Sequence, residues 1–131
     1  MKATLIACVE AYLALTTLTQ QPTDYKTACT LLTLKRALQG QVQFFQQEER
    51  KLADKYAQHD EKGKIVWRTD TSFAFADPAQ AADYARERGE LCEVIPPEEF
   101  PELSIKPPEQ ITVAQLEALE PFLTFKEEGR K

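Results

Sequence analysis

Apolar residues recur at intervals of three and four over two long stretches at the start of the chain. This period is typical of amphipathic helices. The first stretch predicts a helix over residues 4–19 with Thr4 as its N-cap. The second predicts a helix over residues 25–59, a range that contains no proline and only one glycine, Gly40. The apolar seam of this second helix comprises Ala28, Leu31, Leu38, Val42, Phe45, Leu52 and Tyr56.

The second predicted helix is longer than a small globule requires. At about 1.5 Å per residue it would extend for roughly 50 Å. Lys35 and Glu49 interrupt its seam, which disfavours a strict two-stranded coiled coil. Glu48 and Lys51 have the spacing of a solvent-side ion pair. We therefore expect the distal half of this helix to project or to pair with another molecule.

The apolar pattern changes after residue 59. Residues 60–63 predict a turn, with Gly63 supplying the positive φ, and residues 64–68 and 72–75 predict the two strands of a hairpin. Asp77 and Pro78 predict the start of a third helix that continues to Arg88 and stops at Gly89. The alternation in residues 90–95 predicts a third strand.

The C-terminal third predicts an irregular connector followed by a short helix. Residues 96–108 contain five prolines, and residues 111–119 form a helical pattern capped by Thr112. The overall prediction is a helix-dominated α+β fold with a long antiparallel helical hairpin, a small β-hairpin/β-α-β cap and a short C-terminal helix. We expect one domain over residues 1–131, divided into the hairpin (1–59) and the cap with its proline-rich connector (60–131).

Composition narrows the setting. The net charge of −5 disfavours nucleic acid and anionic membranes as partners. Glu10 interrupts the apolar N-terminal stretch, which favours a first helix of the folded protein over a signal peptide or a membrane span. Cys8, Cys29 and Cys92 form no metal-binding or disulfide pattern, and the first two lie among apolar residues of predicted helices. These features predict a soluble protein of the reducing cytoplasm.

No constellation of residues predicts catalysis or a cofactor. The few glycines cannot form a phosphate-binding loop, and His59 has no serine or cysteine nearby in sequence. We expect His59 to complement the dipole at the end of the long helix. Three ExxE pairs leave a magnesium-dependent hydrolase open as an alternative, although their placement disfavours it: Glu87/Glu90, Glu99/Glu102 and Glu117/Glu120.

Aromatic residues are the candidates for a binding surface. Trp67, Phe73 and Phe75 lie in the predicted hairpin, either as the core of the cap or as an exposed patch that binds a partner. The seam of the long helix adds three further candidates for interaction with a partner: Phe45, Leu52 and Tyr56.

Two segments of the sequence contain residue motifs that resemble those of known proteins. The first is Glu48-Glu49-Arg50-Lys51-Leu52-Ala53-Asp54-Lys55-Tyr56 with the following turn Asp60-Glu61-Lys62-Gly63-Lys64-Ile65. The second, nearer the C-terminus, is Leu116-Glu117-Ala118-Leu119-Glu120-Pro121-Phe122. This layout, over roughly residues 25–123, resembles small proteins of unknown function from phages and prophages of Gram-positive bacteria. Trp67 and residues 70–75 have no counterpart there. The resemblance implies a bacterial host cell as the setting, with a place in the virion as an alternative, and supplies no catalytic residue.

Three functions remain open from the sequence. The first is a phage accessory protein, structural or assembly-related, that binds a protein partner or self-associates. The second is a small acidic regulator or inhibitor of a host protein, with the acidic residues 87–102 as a mimic of nucleic acid. The third is the metal-dependent hydrolase.

Overall fold

The computed structural model describes residues 1–70 and 72–126. Its elements in chain order are α1 (Leu5–Leu18), α2 (Tyr25–Tyr56), a 3₁₀ turn (Pro78–Gln80), α3 (Ala81–Cys92), β1 (Leu103–Ile105), α4 (Val113–Leu119) and β2 (Leu123–Phe125). Helix far exceeds strand, which confirms the predicted helix-dominated α+β class. Among these residues no helix has both the length and the hydropathy that a membrane crossing requires.

The chain divides into two compact units. Unit 1 contains Met1–Gln43 and the chain from Ile95 onward, and unit 2 contains Phe44–Val94. The division falls inside α2 rather than at residue 59, the boundary expected from the sequence. The reason is that Ile65, Phe73 and Phe75 pack with the last turns of α2, whereas Phe100 of the proline-rich connector and Leu119 of α4 pack with α1. Whether the chain is one domain stays a prediction.

Unit 1 is built on the helical hairpin that the sequence predicts. Thr4 caps α1 by accepting a hydrogen bond from the backbone N–H of Ala7 at 3.3 Å. Asp24 does the same for α2, accepting from the N–H of Thr27 at 3.2 Å. The Lys35 ammonium lies 5.8 Å from the centre of the Tyr12 ring, so α2 runs back along α1.

The core of unit 1 draws on both helices of the hairpin and on the C-terminal region. Its buried members are Cys8, Ala11, Leu15, Leu18, Leu31, Leu34, Leu38, Phe100, Ile105, Leu119, Phe122 and Leu123. Burial raises the pKa of the Cys8 thiol to about 11, so this cysteine behaves as a small apolar side chain. Cys29 was also expected to lie among apolar residues, and this expectation was wrong, because Cys29 is exposed on α2.

A β-α-β unit closes this core, but it lies at a different place from the predicted one. Strands β1 and β2 pair in parallel with Leu103 opposite Leu123, and α4 lies between them in sequence. β1 falls inside the connector that was predicted to be irregular. Pro101 and Pro107 flank it, so the backbone N–H groups of the strand remain free to pair.

An ion pair attaches the connector to the start of α2. The Lys106 ammonium lies 3.0 Å from the Asp24 carboxylate. The Thr27 hydrogen bonds, together with Lys106, hold the pKa of Asp24 well below its ordinary range. A single carboxylate therefore caps a helix and anchors the segment that leads out of β1.

Unit 2 begins with the second part of α2 and continues into a ring of backbone hydrogen bonds. The N–H of Gln58 donates to the Ala74 carbonyl at 2.7 Å, that of Ala74 to Val66 at 2.9 Å, and that of Val66 to Gln58 at 2.8 Å. Three short extended segments around these residues therefore pair with one another in a closed cycle. The predicted hairpin is present as antiparallel pairing of Trp67 with Phe73, without regular strands.

The turn that leads into this ring agrees with the prediction. Gly63 has a φ of 79°, and its N–H donates to the Asp60 carbonyl at 3.0 Å. The Asp60 carboxylate accepts from the N–H groups of Lys62 and Lys64 at 2.9 and 3.0 Å. The side chain and the glycine together stabilise the reversal.

The third helix differs from the prediction at both ends. Asp77 caps the 3₁₀ turn that precedes α3, accepting from the N–H of Ala79 at 3.0 Å. At its C-terminal end, α3 continues through Gly89 to Cys92, so the predicted strand over residues 90–95 was wrong. A glycine costs a helix only about 1 kcal/mol relative to alanine, and the contacts of α3 with α2 outweigh that cost.

Replacing Gly63 by alanine should destabilise the protein, whereas replacing Gly89 should not. Gly63→Ala places a side chain at a positive φ, which costs about 1 kcal/mol or more. Gly89→Ala adds a methyl group in open space within a helix and should stabilise by about 0.5 kcal/mol or more. Urea unfolding of both variants measures the difference, and equal midpoints would contradict the assigned backbone conformations.

Candidate functional site

An aromatic cluster forms the centre of unit 2. The buried ring of Phe73 lies 4.9 Å from Phe75, 5.1 Å from Tyr84 and 6.2 Å from Trp67, measured between ring centres. Its contacts with Tyr84 and Trp67 are edge-to-face, the arrangement that aromatic quadrupoles favour. Because Tyr84 belongs to α3, the cluster connects α3 to the three segments that are joined by the cycle of backbone hydrogen bonds.

The six candidate interaction residues differ in their exposure to solvent. Phe45, Tyr56 and Phe73 are buried, while Leu52 and Phe75 are half-buried. Trp67 is 55% exposed, although one of its edges contacts Phe73. Of the two interpretations left open by the sequence, a core role therefore applies to Phe73, and surface exposure applies to Trp67.

An ion pair and an aromatic contact position α3 against α2. The Arg88 guanidinium donates to the Glu49 carboxylate at 2.8 Å and lies 5.7 Å from the centre of the Phe45 ring. Tyr84, one turn before Arg88 in α3, contacts Tyr56, which lies two turns after Glu49 in α2. The two helices therefore run in opposite directions, with stripes of side chains from both facing the same side.

These two stripes border a groove, which we call the α2–α3 groove. Its volume is about 500 Å³, and its lining residues are Phe44, Glu48, Lys51, Leu52, Lys55, Glu87, Glu90, Leu91 and Val94. Phe44 and Val94 are 45% and 43% exposed, so the groove holds large apolar side chains in contact with water. An apolar centre with a charged border is the anatomy of a protein-binding surface.

One end of the groove is crossed by an ion pair. The Lys55 ammonium lies 3.1 Å from the Glu87 carboxylate. Hydrogen bonds from Tyr56 and Lys55 lower the pKa of Glu87 below its ordinary value of 4.5. This carboxylate is therefore ionised at neutral pH and links the two helices across the groove.

Only part of this site could be predicted from the sequence. Leu52 was a candidate, and the pairing of Glu48 with Lys51 is confirmed at 3.3 Å. Phe44, Leu91 and Val94 were missed. Phe44 lies one helical turn before Glu48, a signal that was available, but the α3 side of the groove depends on the helix continuing through Gly89.

His59 and one of the ExxE pairs, which were considered for chemistry, contact other side chains of the chain. His59 lies three residues beyond the end of α2, and its Nε2 lies 2.7 Å from the carboxylate of Asp54, in the last turn of that helix. Its expected role at the helix dipole stays a prediction. Of the ExxE pairs, Glu87 contacts Lys55, and Glu90 lies 3.9 Å from Arg86. Across residues 1–70 and 72–126, no three histidine, cysteine or acidic side chains come together in a group that could hold a metal ion.

Further depressions lie in the described part of unit 1. One, of about 270 Å³, is lined by residues that include Ala28, Leu32 and Lys35 and contains neither an aromatic nor an acidic side chain. Two others contain charged side chains. The first, of about 620 Å³, lies between α1 and α4, where the exposed Leu13 is flanked by Glu10 and Glu117. The second, of about 220 Å³, is bordered by Asp24 and Lys106, which already pair with each other. Neither combines exposed aromatic surface with charges of both signs, so we take the α2–α3 groove as the candidate site.

Comparison of the chain with protein-family models, with curated proteins and with solved structures finds no match. The resemblance to phage and prophage proteins therefore rests on the residues quoted above and stays a prediction. What the molecule can do has to be inferred from its own surfaces.

Truncating Phe73 should destabilise the protein far more than truncating Trp67. Phe73→Ala removes the buried centre of the aromatic cluster and should cost about 3 kcal/mol or more. Trp67→Ala removes a half-exposed ring and should cost about 1 kcal/mol. Urea unfolding measures both values, and a larger loss for Trp67→Ala would show that the cluster does not centre on Phe73.

Replacing Glu87 by glutamine should reduce the dependence of stability on pH. Because folding lowers the pKa of Glu87, its contribution is present above the ordinary value of 4.5 and is lost as the pH falls through the folded value. Glu87→Gln should therefore be less stable than the natural chain near neutral pH, and the difference should vanish in acid. Unfolding midpoints in urea at neutral and acidic pH test this. Lys55→Met, which removes the partner ammonium, should shift the pH dependence in the same direction.

Proposed function

We propose that this chain is an accessory protein, structural or assembly-related, that acts by binding protein through the α2–α3 groove rather than by catalysis. The observation that carries the proposal is the exposure of Phe44 and Val94 inside a groove with a charged border. Covering apolar surface contributes roughly 25 cal/mol per Å², so two such side chains supply a driving force for association.

The groove has a stable framework on which a partner could bind. The Arg88–Glu49 and Lys55–Glu87 contacts both link α2 to α3. The buried rings of Phe45 and Tyr56 lie on the same stretch of α2 that carries Leu52. Because the surrounding side chains are already in place, binding would cost less ordering entropy than it would on a flexible loop.

A phage or prophage gene in a bacterial host cell is the setting we propose, on the strength of the resemblance of residues 48–56, 60–65 and 116–122. The acidic regulator is less well supported. The acidic residues 87–102 belong to two compact units, and Glu87 and Glu98 already contact Lys55 and Gln41 of the same chain. The contact with the Lys55 ammonium neutralises part of the negative charge that would imitate a nucleic acid.

Site-specific photo-crosslinking tests the proposal. A photoreactive phenylalanine analogue replaces Phe44 in cells that express the chain together with the products of its neighbouring genes. The matched control places the same analogue at Leu13, which is also exposed but lies in unit 1. We expect crosslinks from position 44 to a defined protein, identified by mass spectrometry, and few from position 13.

Two results would contradict the proposal. The first is that the analogue at position 44 crosslinks to no protein and that the same analogue in place of Val94 crosslinks to none either. The second is an equal yield of crosslinks from positions 44 and 13, because the groove would then be no more than one of several exposed apolar surfaces.

A further inference from the structure

The two borders of the α2–α3 groove carry opposite charges. The α3 border presents Glu87 and Glu90. The α2 border presents Lys51 and Lys55, together with Glu48, which pairs with Lys51 on its own helix. The groove is therefore polarised across its width, with ammonium groups on one side and carboxylates on the other.

Most of these charges are engaged within the chain, but two are accessible. Lys55 and Glu87 pair across the groove at 3.1 Å. Lys51 and Glu90 point to solvent, with side chains 75% and 71% exposed. Their contacts within the chain, to Glu48 at 3.3 Å and to Arg86 at 3.9 Å, are surface pairs of neighbouring helical turns, which contribute little to stability.

A surface of this kind is complementary to itself. A twofold rotation about an axis that lies in the interface and runs parallel to the groove brings the α2 border of one copy over the α3 border of the other. Each Lys51 then lies over a Glu90, and this contact occurs twice in the dimer. The apolar side chains Phe44, Leu52, Leu91 and Val94 of the two copies cover one another in between.

We propose that the occupant of the α2–α3 groove is a second copy of this chain, in a twofold dimer in which Lys51 of each copy pairs with Glu90 of the other. This inference rests on the proposed function and makes it specific, because it names the partner of the groove. Burying Phe44 and Val94 drives the association, and the polarised borders determine its register.

The depression between α1 and α4 lacks this property. Its exposed apolar residue, Leu13, is flanked by Glu10 and Glu117, both acidic. A second copy placed over it by a twofold axis would bring carboxylates against carboxylates, which is repulsive. Leu13 is therefore a suitable control position for the groove.

The purified full-length chain tests the dimer by sedimentation equilibrium from low micromolar to near-millimolar concentration. We expect a concentration-dependent dimer. Phe44→Ser should abolish it, and Leu13→Ser should leave it unchanged. Lys51→Glu and Glu90→Lys should each weaken the dimer by about tenfold or more, since symmetry places every substitution in two like-charge contacts.

Mixing the two charge variants provides the decisive measurement. In a heterodimer of Lys51→Glu with Glu90→Lys, one contact joins Glu at position 51 to Lys at position 90, and the other joins the natural Lys51 to the natural Glu90. Both contacts are attractive, so the mixture should dimerise with nearly the natural affinity although neither variant does alone. A mere loss of folding in either variant could not be repaired by mixing, and circular dichroism of each variant checks this directly.

Failure of this inference is distinguishable from failure of the proposed function. A chain that stays monomeric at every concentration overturns the dimer, and so does a dimer that mixing does not restore. Crosslinks from position 44 to a different protein would then still support binding through the groove. Absence of both the dimer and the crosslinks would overturn the two proposals together.

Discussion

A ring of three backbone hydrogen bonds determines the arrangement of unit 2. The segments around Gln58, Val66 and Ala74 are too short for regular strands, yet each donates to one neighbour and accepts from the other. Unpaired backbone groups would be costly beside the apolar cluster, so the pairing holds all three segments at once. Ala74 leads within a few residues to the 3₁₀ turn and α3, and the ring thereby places α3 next to α2. The groove exists because of that placement.

The parts of the fold that follow from local chemistry could be predicted from the sequence. The three-four spacing of apolar residues identifies α1 and α2 within a few residues of their observed ends. Thr4 and Thr112 act as caps at the expected places, and Gly63 takes the expected φ. Each of these signals involves neighbours along the chain, so no knowledge of tertiary contacts is required.

The features that depend on distant contacts could not be predicted in the same way. The alternation in residues 90–95 favours a strand, and only the contacts of α3 with α2, such as Arg88 with Glu49, extend the helix past Gly89. The parallel pairing of β1 with β2 joins residues some twenty positions apart, and three residues are too few to show a period. The α3 border of the candidate site could not be predicted for the same reason. Glu90 and Leu91 lie beyond Gly89, where the predicted helix stopped.

The closed ring also determines how unit 2 can associate. An ordinary hairpin leaves two open edges, and foreign strands can add to them by backbone pairing, which is the route to domain swapping and fibril growth. In the ring, each of the three segments already has a neighbour on both sides. No segment of the ring offers an edge for strand addition, and recognition at this unit is left to side chains, whose chemistry can discriminate between partners.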